Sequence, residues 1–202
     1  MRRLPQVRKA TPADFPKVAV LLHYSAEDMY DRFAGGRGRA LRVIERSLGQ
    51  PGNASSAEVI WVAEVDGEVA GAMAAFPVSE APTRSRSFLR LALRLAPPWR
   101  WPAALYLYWA GARAAPTPPH SAFYVDALAT DPGLRRRGAA RALLAEAVRQ
   151  ARDRRLPAVA LDTTISNQPA RALYASEGFG EVAYRPSGRG LPGFVALVKR
   201  LS

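Results

Sequence analysis

The sequence predicts a mixed α/β fold, a sheet that is antiparallel for most of its width and carries helices on both faces. Three observations predict it. Asp66-Gly67 separates two β-rich runs, "EVIWVAEV" and "EVAGAMAAFPV", and such a pair is among the strongest local signals for an antiparallel hairpin. Further on, "AFYVDALAT", a helical stretch over Ala139–Arg154 and "AVALDTT" follow in that order; a strand–helix–strand crossover makes its two strands parallel, right-handed neighbours. Within that helix Ala140, Leu143, Leu144, Ala147, Val148 and Ala151 form one apolar stripe, with Arg141, Glu146, Arg149 and Asp153 outside it.

The other elements follow in order. Gln6–Ala10 reads as a short strand, and "TPADFPKVAVLLHYS" opens a helix, with Thr11 or Asp14 as its cap and Pro12 or Pro16 in its first turn. Arg39–Leu48 reads as a second helix, stopped by "GQPGN". The segment from about 80 to 119 is apolar, aromatic and arginine-studded, and predicts two short helices broken at Pro97-Pro98. Its longest uncharged run, Trp101–Ala112, is too short to span a bilayer. An inserted helical pair packed on the core, a wall of a substrate pocket and an interfacial membrane helix are its three readings. "NQPARALYASEGF" predicts a short helix stopped at Gly178, and two strands close the chain near Glu181–Arg185 and Phe194–Lys199. The length, 202 residues, suits one domain over 1–202.

Composition narrows the chemistry. There is no cysteine, which removes disulfides, thiolate metal sites and a cysteine nucleophile. With His23 and His120 as the two histidines, no metal site is expected. "MRRLPQVRKATPADF" has no apolar core, so it does not read as a secretory signal, and a cytoplasmic location is expected. The net charge of +12 is almost all arginine, because Lys9, Lys17 and Lys199 are the three lysines. That excess reflects an Ala- and Arg-rich composition or favours anionic ligands.

One stretch concentrates the charge. In "DPGLRRRGAARALLAEAVRQ" three arginines stand against a helix start, where the macrodipole is already positive. Either the run is a solvated basic turn or an anion belongs there. Gly138 frees the backbone, Ala139 and Ala140 keep the approach open, and Arg135, Arg136 and Arg137 add bidentate donors. The loop lacks both GxxxxGK[ST] and GxGxxG.

Arg135-x-x-Gly138-x-Ala140 after "ALATDP" resembles the acyl-coenzyme A signature of the GNAT N-acetyltransferase superfamily, [Q/R]xxGx[G/A]. "NQPARALYASEGFGEV" resembles that family's N-x-x-A-x-x-L-Y-x-x-x-G-F, matched at Asn167, Ala170, Leu173, Tyr174, Gly178 and Phe179. The opening "VRKATPADFPKVAVLL" is similar to the family's first strand and helix. The resemblance covers about 7–77 and 122–200 and leaves 80–119 as an insertion.

The resemblance implies a splayed pair of parallel central strands that receives acetyl-coenzyme A as acyl donor, with no metal. The pantetheine arm would bond to Ala127, Leu128, Ala129 and Thr130, the pyrophosphate to Arg135–Ala140, and Asn167 to the arm. Tyr174 would protonate the departing thiolate, or it packs in the core as Leu173 does. Asp126 would serve as base, or as a structural or ammonium-binding carboxylate; strand alternation puts it on one face with Tyr124 and Leu128. Glu27 and Asp28, in the loop after the first helix, are substrate-side alternatives or solvated charges. Asp162 and Thr163 line the acceptor pocket or cap locally. His120 is a substrate-side candidate or a surface residue.

The function expected is an N-acetyltransferase acting on a small-molecule primary amine by direct attack in a ternary complex. A protein or peptide acceptor, or a non-catalytic acyl-coenzyme A sensor, stands as the alternative. A nucleic-acid binder is disfavoured because the arginines are dispersed and no reading motif is present. A homodimer is left open.

Overall fold

The computed structural model describes residues 4–114, 116–188 and 191–201. Seven strands form one sheet: β1 (Gln6–Lys9), β2 (Ile60–Val65), β3 (Glu68–Pro77), β4 (Ala122–Thr130), β5 (Ala158–Thr164), β6 (Gly180–Arg185) and β7 (Phe194–Arg200), in the order β1-β2-β3-β4-β5-β7-β6. β4 and β5 pair in parallel and every other neighbour is antiparallel. The Asp66-Gly67 turn has both residues at positive φ, as a tight hairpin requires.

Three helices cover one face: α1 (Phe15–Ser25), α2 (Glu27–Ala34) and α3 (Arg37–Leu48). Their apolar side chains, among them Val18, Leu22 and Ile44, pack on Ile60, Val62, Ala72 and Ala74 of the sheet. Against α2 and α3 lie the two inserted helices, α4 (Ala81–Leu95) and α5 (Trp101–Ala114), separated at Pro97-Pro98 as the sequence predicts. The opposite face carries α6 (Ala139–Asp153) and α7 (Gln168–Ser176), packed over Met73, Phe123, Val125, Val159 and Leu161. The helical stripe expected from Ala140 is led by Ala139, which is buried, while Ala140 is only partly so.

The entry to α1 is fixed by charge. Asp14 closes a capping box with Thr11 and accepts from Arg8 at 2.6 and 2.9 Å. That guanidinium, with the Thr11 bonds, holds the Asp14 carboxyl well below the usual carboxylate range.

One helix is missing from the sequence reading. α2 occupies the stretch taken as a loop, because α1 ends at Ala26 (φ −153, ψ 52) without a glycine or proline to mark the break. α3 likewise begins at Arg37, two residues early, just after Gly35 and Gly36 end α2 at positive φ.

Leu143 is fully buried between α6 and the sheet. Leu143→Ala is expected to cost about 3 kcal/mol, read as a lower urea midpoint at unchanged slope.

Candidate active site

The site begins where two strands part. β4 and β5 are paired from Ala122↔Ala158 to Val125↔Leu161, and both then continue without pairing to each other. β4 stays bonded to β3, and β5 to β7. Along Ala127–Thr130 the edge of β4 that faces β5 is therefore unpaired, an interior strand edge of the kind that an extended amide-bearing ligand satisfies.

At the point of parting β4 carries a bulge. Ala74 pairs with Ala127 and Ala75 with Val125, so Asp126 is the extra residue. A bulge breaks the two-residue alternation, and the packing shows the result. Val125 faces the α6 side, Ala127 the α1 side, and Leu128 the α6 side again. Tyr124 packs with Phe76 on the α1 side, so the expectation that Leu128 shares its face is corrected.

Two carboxyl groups stand at the mouth of the gap. Asp126 on β4 and Asp162 on β5 are the first residues beyond the last strand pair. Water reaches Asp126, yet the surrounding protein makes its charge costly, which describes the floor of a cleft. Burial, with Asp162 as a like charge nearby, pushes the Asp126 carboxyl up to about 7. Burial also raises Asp162, which accepts a hydrogen bond from the Tyr124 hydroxyl. The Tyr124 phenol is pushed well above its ordinary value by burial and both carboxylates.

Two more tyrosines complete the group. Tyr30 of α2 is half-buried, hydrogen-bonded to Ser55, and feels the Asp126 charge. It is stacked at 6.3 Å on His23, whose Nε2 meets Asp31 Oδ1 at 2.7 Å. Tyr174 of α7 enters from the α6 side, its ring 6.1 Å from Phe179. Burial first and Asp162 second push its hydroxyl up to about 12. Tyr30, Ser55 and the Tyr124–Asp162 bond were not found by sequence reasoning. Tyr30 was hidden by the unmarked helix break, and pairing across strands leaves no local signal.

The basic loop lies at the other end of the gap. After Thr130, Asp131 caps a short turn by accepting from Gly133 N at 2.7 Å, and its other oxygen pairs with Lys17. Arg136 and Gly138 both have positive φ, 60° and 87°. No side chain caps α6, which leaves its first N–H groups without an intrahelical partner, an anion-binding geometry. Arg135, Arg136 and Arg137 are exposed. Arg137 reaches Asp66 at 3.1 Å, while Arg135 and Arg136 have no ion-pair partner among the described residues. Ala139 and Ala140 follow directly in α6. Asn167 caps α7, its Oδ1 accepting from Ala170 N at 3.4 Å and its Nδ2 donating to Thr163 Oγ1 at 3.1 Å.

Three sequence candidates are not brought to this group. Glu27 lies in the first turn of α2, not in a loop, and pairs with Arg37 at 2.8 Å. Asp28 is exposed there, two residues from Tyr30 and so on nearly the opposite side of the helix. His120 is exposed before β4, at least four strand residues from Asp126, roughly 13 Å along an extended chain. His23, Glu27 and Asp31 offer ligand atoms within 4.8 Å of one another, but the His23–Asp31 and Glu27–Arg37 pairs account for that grouping.

Comparison with known proteins agrees with this architecture. Residues 26–179 match the model of the acetyltransferase (GNAT) family, and the chain belongs to that family, whose members are acyl-coenzyme A-dependent N-acetyltransferases. An N-acetyltransferase from Staphylococcus aureus Mu50 is similar at 21% identity and a TM-score of 0.74, over 96% of this chain and 99% of that one. A histone acetyltransferase HPA2 and related acetyltransferase from Corynebacterium glutamicum ATCC 13032 is 25% identical, with a TM-score of 0.63, over 99% of this chain and 98% of that one. An agmatine N-acetyltransferase is 16% identical, with a TM-score of 0.58, over 98% of this chain and all of that one. No curated protein sequence matches the chain significantly.

The raised Asp126 carboxyl makes a stability prediction. The native state keeps a proton that the unfolded chain, with an ordinary carboxyl near 3.8, has released. Stability therefore falls as pH rises from about 4 to about 7. Asp126→Asn is expected to flatten that fall and to be more stable than wild type above pH 7, read by denaturant melts across pH. An unchanged profile would mean that Asp126 is solvated normally.

Proposed function

We propose that the protein transfers an acetyl group from acetyl-coenzyme A to the primary amine of a small molecule, by direct attack while both are bound. The observation that carries this reading is the Asp126 carboxyl, poised near neutrality at the point where β4 and β5 part.

The residues fit the cosubstrate. Its diphosphate suits the uncapped start of α6, with Gly138, Ala139 and Ala140 giving access and Arg135, Arg136 and Arg137 adding donors. Its pantetheine amides suit the free backbone edge of Ala127, Leu128, Ala129 and Thr130, with Asn167 across the gap. When bound, it supplies an acyl group activated as a thioester. With no cysteine in the chain, a relay through a cysteine thioester is closed, which favours direct transfer.

The acceptor side is acidic and aromatic. In a protein of net charge +12, Asp126 and Asp162 put negative charge at the cleft floor, where an ammonium is drawn in. Tyr30 and Tyr124 both lie within the field of Asp126, and aromatic rings also suit a cation. Asp126 then takes the proton from the ammonium, and its value near 7 lets it do so at neutral pH. Asp162 is committed to Tyr124 and keeps the pair of carboxyls coupled. Tyr174 retains its proton at neutral pH and donates it to the departing sulfur. Tyr30, held by His23 and Ser55, stands on the α2 side of the acceptor end, within the field of Asp126.

The test is kinetic, with a panel of small cationic amines. kcat/KM should rise with pH through about 7, the Asp126 value. Asp126→Asn should lower it by about 10²–10⁴ and remove that limb, whereas Tyr174→Phe should lower kcat with little change in KM. A profile that keeps its limb in Asp126→Asn would assign the base elsewhere.

Binding tests the donor half separately. Arg136→Ala with Arg137→Ala should weaken acetyl-coenzyme A binding at least about tenfold by calorimetry, since charge-assisted contacts are worth about 1.5–3 kcal/mol each. Unchanged affinity would return those arginines to a solvated turn.

A further inference from the structure

The insertion carries an apolar surface that nothing among the described residues covers. α5 is apolar on every side until Arg113 in its last turn. Ala104, Leu107 and Ala110 face α2, while Trp101, Leu105, Tyr106 and Trp109 lie on the outer side and are exposed, Trp109 by 56%. A helix apolar on every side belongs in a core or against lipid. The turn before it is more open still: Leu95 is exposed and Trp99 is 77% exposed.

This turn is presented rigidly. Trp101 Nε1 donates to the Leu93 carbonyl at 3.0 Å, and Arg100 Nη2 donates to the Arg32 carbonyl of α2 at 2.7 Å.

The surroundings are strongly positive. From residue 81 to 125 there is no Asp or Glu. Arg86, Arg90 and Arg94 repeat at i, i+4 and i+8 as an exposed row on α4, and none of them has an ion-pair partner among the described residues. Beside the turn a cavity of about 190 Å³ opens between α3 and α4, lined by Leu95 and Pro97 and by the exposed Arg39, Arg42 and Arg46 of α3. That shared lining places a second arginine row next to the apolar turn.

We propose that the α4–α5 insertion docks this protein on the surface of an anionic lipid bilayer. Tryptophan, tyrosine and leucine beside arginine are the side chains that settle at the boundary of headgroups and acyl chains, and the unpaired arginines match acidic headgroups. No helix among the described residues is long and apolar enough to cross a membrane, so the contact is peripheral. Nucleic acid fits less well: bases stack on Trp99 and Trp109 but gain nothing from exposed Leu95 and Leu105. A second copy fits less well too, because a two-fold contact would set the same arginine rows face to face.

Flotation with vesicles of phosphatidylcholine, alone or with phosphatidylglycerol added, tests the proposal, with tryptophan emission as a second readout. Wild type should float with the mixed vesicles, shift its emission to the blue and bind weakly to phosphatidylcholine alone. Trp99→Ser with Trp109→Ser, which alters exposed residues and no charge, should cut partitioning at least tenfold. Arg90→Glu with Arg94→Glu should cut it further, since each arginine near such a surface is worth roughly fivefold. Circular dichroism melts confirm that both variants stay folded. Failure of folded wild type to float at low salt would overturn the proposal. So would undiminished binding by the tryptophan variant, which would reduce the effect to general attraction of a cationic protein. A dimer in sedimentation velocity that Trp99→Ser disrupts, without vesicle binding, would assign the surface to a second copy instead.

Discussion

The separation of β4 from β5 after Val125 and Leu161 creates what an ordinary sheet interior never offers, a backbone edge with unused donors and acceptors. Such an edge inside a protein is costly unless a ligand or water completes it. β4 can bear it because its other edge is bonded to β3 through Thr130, and β5 because it is bonded to β7 along its whole length. The bulge at Asp126 sits where the parting begins, and it turns Ala127 to the same side as Tyr124. One irregularity thus aims a carboxylate into the gap and hands a run of free backbone to whatever lies there. α6 starts at the far end of that run with its own unsatisfied N–H groups, so the gap is lined by backbone donors from one end to the other.

Charge is arranged by place rather than by sum. Arginines crowd the outside, the helix start and the insertion, where anions are met in water. The two carboxyls stand in the cleft, and the surrounding protein raises both. The same enclosure keeps Tyr174 protonated and near them. Acidic groups thus stand inside a protein whose outer charge is positive.

Much of this was legible in the chain. The Asp66-Gly67 hairpin, the parallel crossover, the Pro97-Pro98 break and the glycine stop at Gly178 are local or periodic signals, and local physics decided them. The arginine loop and the α7 segment carried enough of a family pattern to point to the donor. What stayed hidden was set by three-dimensional context. α2 begins at an Ala26 turn that no glycine or proline marks, so Glu27 and Asp28 were taken as loop residues and Tyr30 was passed over. The bulge depends on how β3 registers against β4, and a single strand's alternation cannot reveal it; Leu128 was placed on the wrong face for that reason. The Tyr124–Asp162 bond joins residues 38 apart in sequence, and only the sheet brings them together.

Hydrogen–deuterium exchange with and without coenzyme A tests the account most directly, because it reads the backbone groups on which the rest depends. Bound coenzyme A should slow exchange at Ala127–Thr130 and at Gly138–Arg141, leaving α3, α4 and α5 unchanged. Protection that appears elsewhere while those two segments stay as they were would contradict the claim that the gap between β4 and β5 is where the cosubstrate lies.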